Sequence, residues 1–78
     1  MPTVFRSGPY RFFFYAADGA EPPHVHVERN DNIAKFWLRP VRLQESGGFN
    51  RVEIGRVQGI VEENVDVILT SWEALFGN

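Results

Sequence analysis

The spacing of apolar residues changes period partway along the chain, and that change constrains the fold more than any other feature. Up to about Leu38 apolar side chains alternate or gather in short runs bounded by turn residues, whereas from Ile54 onward they return every third or fourth position. Strands followed by helix is the pattern of an α+β fold, here a small antiparallel or mixed sheet of three to four strands packed on one long C-terminal helix. The 78 residues leave room for a single domain, 1–78, with a small core.

The strands are expected at 3–6, 10–16, 24–29 and 33–38, separated by Ser7-Gly8-Pro9, by Asp18-Gly19 with Pro22-Pro23, and by Asn30-Asp31-Asn32. Pro40 near the start and Gly47 past the end predict a short helix over 41–45. The long helix is expected over 51–75, with Asn50 as its cap, Glu53 completing a capping box and Phe49 stapled onto Ile54. Its stripe of Ile54, Val57, Val61, Val65, Ile68, Trp72 and Leu75 or Phe76 should meet Phe12, Phe14, Val25, Val27, Ala34, Phe36 and Leu38 from the sheet. Gly55 and Gly59 stand four apart, which permits close approach of another backbone.

The chain has no cysteine, which excludes disulfides, thiolate metal sites and thiol chemistry and accords with a reducing compartment. Ten acidic against eight basic residues give a net charge of −2, so a nucleic-acid role would need a local basic patch. Neither a basic-then-apolar leader nor an apolar run of membrane-spanning length of about 20 residues is seen, so a cytoplasmic protein without membrane association is expected.

Chemistry concentrates in Pro23-His24-Val25-His26-Val27-Glu28, where alternation puts His24, His26 and Glu28 on one strand face. Two imidazoles and a carboxylate are candidate ligands for a divalent transition metal such as Zn, Fe or Mn, while His24 and His26 are also candidate catalytic bases. The simpler reading makes them polar positions on the open side of a sheet, with no cofactor. The same alternation turns Arg11, Phe13, Tyr15, Lys35 and Trp37 toward the histidines, giving a candidate binding surface of Arg11, Phe13, Tyr15, His24, His26, Lys35 and Trp37. Aromatic residues of this kind suit a protein partner or self-association, and aromatics interleaved with cations also suit nucleic acid. No serine stands in a nucleophile elbow, and Ser46-Gly47-Gly48 lacks the lysine of a phosphate loop.

The Thr3-Val4-Phe5 opening, the Phe14-Tyr15 strand, Glu21-Pro22-Pro23-His24-Val25-His26-Val27, Ala34-Lys35-Phe36-Trp37-Leu38, Gly48-Phe49 and Trp72 together resemble the small bacterial domain-of-unknown-function family 4160. The resemblance spans nearly the whole chain and implies no reaction. It implies a gene neighbour of domain-of-unknown-function family 2442, and so a paired, toxin-antitoxin-like module. The reading preferred from sequence is a non-catalytic protein-binding component of such a two-gene module, partnered by a small protein encoded nearby or by itself. The alternative is a nucleic-acid-binding protein or small nuclease using the His-bearing sheet face, with or without a metal.

Overall fold

The computed structural model describes residues 3–77. Five strands, β1 (Thr3–Ser7), β2 (Tyr10–Phe13), β3 (His24–Arg29), β4 (Asn32–Leu38) and β5 (Val41–Glu45), form one antiparallel sheet whose spatial order repeats their order in the chain. A 3-10 helix (Ala16–Ala20) joins β2 to β3, and α1 (Arg51–Glu63) and α2 (Val65–Phe76) complete the chain. The fold is α+β, with the sheet packed against a long C-terminal helical segment, and the sheet has five strands rather than three to four.

The fifth strand is the segment expected as a short helix over 41–45. An isolated helical turn closes too few hydrogen bonds to offset its ordering cost. Here Val41, Arg42, Leu43 and Glu45 pair instead with Leu38, Trp37, Phe36 and Lys35. Pro40 therefore sits in the turn between β4 and β5, and no helix begins there. The second strand ends at Phe13 instead of reaching Ala16, because Asp18 bends the chain into the 3-10 helix by accepting a hydrogen bond from the Tyr15 N–H at 2.8 Å.

The apolar stripe meets the sheet as its period requires. Phe12, Phe14, Val25, Val27, Ala34, Phe36 and Leu38 are buried with Val57, Val61, Ile68 and Trp72 in one core. Phe76 packs against this core and Leu75 is exposed, so Phe76 ends the stripe. The helix is divided at Asn64, whose side-chain amide donates to the Ile60 carbonyl at 2.8 Å and so competes for a group of the helical ladder. Steps of three and four continue across the break from Val61 to Val65, so both helices keep one apolar face on the sheet.

The start of α1 is capped by Asn50, whose side chain accepts from the Glu53 N–H at 2.8 Å. Glu53 does not return to the cap. Its carboxylate accepts from the Arg29 guanidinium, Nη2 to Oε1 at 2.8 Å, and from the Tyr10 hydroxyl at 2.9 Å, pinning the first helical turn to β2 and β3. Nothing lies within 4 Å of a Cβ placed on Gly55 or Gly59, so the close backbone approach that their spacing permits is not used among the described residues. No helix among those residues is long and apolar enough to cross a membrane.

Candidate metal centre

Alternation along β3 sends Val25 and Val27 into the core and leaves His24 and His26 as successive side chains away from it. Register sets Trp37 opposite His24, and Lys35 and Phe13 opposite His26 on its two sides. The 3-10 helix then carries Asp18 back to the same place. Its orientation is fixed locally: Tyr15 N–H donates to Oδ2, Asp18 N–H donates to the Tyr15 carbonyl at 3.1 Å, and the Asp18 carbonyl accepts from Glu21 N–H at 3.0 Å.

Asp18 Oδ1 lies 3.1 Å from His24 Nε2, and Oδ2 lies 3.2 Å from His26 Nε2. The donor atoms of the three residues all fall within 4.8 Å of one another. Both Nε2 atoms are buried, and apart from these contacts with the Asp18 carboxylate neither has a hydrogen-bond partner among the described residues. Buried polar atoms ordinarily find a partner, so two such atoms facing one carboxylate require an explanation.

Tautomer supplies part of it. His24 Nδ1 is 2.8 Å from the Pro22 carbonyl, which can only accept, so Nδ1 carries a proton and Nε2 is the ring nitrogen turned toward Asp18. A ligating histidine is oriented in this way by a carbonyl behind it. Burial pushes His26 below the ordinary histidine range, against the pull of Asp18, which keeps its ring neutral near pH 7. Two imidazoles and a carboxylate placed this closely can chelate a divalent transition metal.

Aromatic rings wall the cluster. His26 lies 5.4 Å from Phe13 and 4.6 Å from Tyr15, ring centre to ring centre, and His24 lies 5.7 Å from Trp37 and 5.1 Å from Trp72. The structure thus brings together all seven residues of the expected surface, with Arg11 over Phe13 at 4.2 Å and Lys35 over Trp37 at 4.8 Å. They do not form an open platform. Phe13, His24 and His26 are buried, Arg11 is paired with Glu28 at 2.8 Å, and Lys35 is paired with Glu21 at 2.7 Å. That last pair holds the Glu21 carboxyl below the usual carboxylate range.

Glu28 is the sequence candidate that does not join the histidines. It shares their strand face, but Arg11 stands directly opposite in register and takes its carboxylate. Asp18 replaces it. The turn signal Asp18-Gly19 explains the bend without hinting at ligation, and the only sequence clue is an acidic side chain shortly before Pro22-Pro23-His24.

No curated protein and no solved structure matches the chain. Residues 10–73, which include all three donors and every element from β2 to most of α2, match the domain of unknown function DUF4160. With that match covering most of the sequence, the chain belongs to the DUF4160 family.

Proposed function

We propose that Asp18, His24 and His26 bind one divalent transition-metal ion, and that the metal serves a small nuclease working from the His-bearing end of the sheet. The observation that carries the reading is the convergence of two buried Nε2 atoms on one carboxylate, with all donor atoms within 4.8 Å of one another. Held by these three residues, a metal would supply Lewis acidity to activate water near neutral pH. The side chains of His26 and Asp18 are 11% and 12% exposed, so the cluster borders solvent on their side and is sealed at His24.

Elemental analysis of the dialysed protein, with calorimetric titration of Zn2+ and Mn2+, tests the first half. One ion per chain is expected, lost in Asp18→Asn and His26→Ala while far-UV circular dichroism is unchanged. Cleavage of single-stranded RNA or DNA by the loaded protein, abolished in the same variants, tests the second half. Stoichiometric metal with no cleavage would make the ion structural and sink the nuclease reading.

A second reading, a non-catalytic protein-binding component of a two-gene module, is favoured by β5. Among the described residues this strand pairs on one side only, and Arg42, Leu43, Gln44 and Glu45 are exposed along it. An unpaired edge is a template for a strand from a small protein encoded nearby or from a second copy. The cysteine-free composition accords with a cytoplasmic setting for either reading. Solution mass alone and with the neighbouring gene product separates the two: a stable complex, with metal absent, would favour the second.

A further inference from the structure

Three strands place His24, Trp37 and Arg42 in a single cross-sheet row, since His24 pairs with Trp37 and Trp37 with Arg42. Directly opposite residues on one face are side-chain neighbours. Beyond this row the surface opens into a groove of about 350 Å3 lined by Pro22, Pro23, Trp37, Arg39, Pro40 and Arg42. The volume lies within the range of small-ligand clefts, about 300–1,000 Å3.

Its chemistry differs from that of the rest of the face. Arg11 and Lys35 are neutralised by Glu28 and Glu21, whereas Arg42 has neither an ion pair nor a hydrogen bond among the described residues. Arg39 reaches Glu73 at 2.9 Å, but both side chains are half exposed, and such a pair exchanges readily for another anion. A molecule with net charge −2 thus carries a cationic groove here, floored by an indole and three proline rings. The Trp37 ring is held in place by His24 on one strand neighbour and by Lys35 close to its centre.

We propose that this groove binds single-stranded nucleic acid, with a base stacked on Trp37 and the adjoining phosphate taken by Arg42, aided by Arg39. Charge complementarity asks for an anion, and the half-buried indole asks for a flat ring beside it; a nucleotide carries both, and an acidic peptide carries only the first. His24, at the other end of the row, is buried, so the groove itself holds none of the three donors, and a bound strand would reach them only by running past Trp37 to the solvent-bordering side at Asp18 and His26. The proposal names the substrate of the nuclease reading above and rests on it for what happens to the strand after binding.

The test is fluorescence anisotropy of labelled single-stranded RNA and DNA 12-mers of mixed sequence, in EDTA and again with Zn2+, across a salt series. Binding is expected in EDTA, with quenching of tryptophan emission that belongs to Trp37, since Trp72 is buried. Arg42→Gln should weaken binding and lower the salt slope by about one, and Trp37→Leu should weaken it at least about fivefold. Trp37→Phe, which keeps a ring in the same space, should restore most of the loss. Asp18→Asn should retain binding in EDTA, so failure of the metal reading leaves this result standing. No binding, or binding indifferent to Arg42 and Trp37, overturns the proposal even where metal binds; so does competition by poly-glutamate as strong as by unlabelled strand.

Discussion

The imidazole of His26 is enclosed by Phe13, Tyr15 and His24, and burial holds its pKa below that of an exposed histidine although Asp18 pulls the other way. In the unfolded chain the same group takes up a proton near its ordinary value of about 6.5. Below that pH, and until the lower folded value is passed, the unfolded state binds more protons, so stability falls with acidification and then levels off. Urea midpoints in EDTA should therefore drop between pH 7.5 and 5.5, and His26→Phe should reduce that drop. Metal affinity should fall over the same interval, because a ligating imidazole must be neutral. Asp18 and Glu28, the carboxylates of the observed cluster and of the sequence expectation, separate cleanly. Asp18→Asn should lower metal affinity by more than the roughly 10–100-fold typical of an outer partner, while Glu28→Gln should leave it unchanged in titration calorimetry.

At the level of elements, the glycines of α1 and of the β5–α1 connection make opposite predictions. Gly55→Ala and Gly59→Ala enter open space on a helix and should each add about 0.5–1 kcal/mol to stability in urea melts. Gly47 has φ of +60°, and a Cβ there would overlap the Ile33 carbonyl, so Gly47→Ala should cost more than the roughly 1 kcal/mol of an ordinary backbone mismatch. Asn50→Ala, which removes the cap of α1, should cost about 1 kcal/mol. The strands and the helical face were legible because alternation and the three-to-four step are written into single side chains, as in Val25-His26-Val27 and Val57 to Val61. The fifth strand was not, because Val41–Glu45 takes its form from the backbone groups of β4, and Pro40 and Gly47 mimic the ends of a helix. The break at Asn64 was hidden for a related reason: the apolar step survives it. In the candidate site the histidines could be found by their spacing, but Asp18 arrives through a turn, and no period links a turn to a strand face.

For the whole molecule, the described residues have a radius of gyration of 11.4 Å, and Trp72 is where sheet, helix and site meet. It touches Phe14, Phe76 and His24, so Trp72→Ala should cost about 3–5 kcal/mol, a large part of the total for a domain of this size. If metal binds only the folded chain, saturating Zn2+ should raise the melting temperature of the native protein, and that rise should vanish in Asp18→Asn. A sheet whose spatial order repeats chain order can also assemble in the direction of synthesis, each strand pairing with the one just made. On a ribosome the 3-10 helix and β3 would emerge with all three donors while Trp72 was still untranslated. The expected order is pairing of β2 with β3, which sets the three donors side by side, followed by closure of Trp72 against His24, so the last helix seals one flank of a cluster that the earlier strands have already assembled.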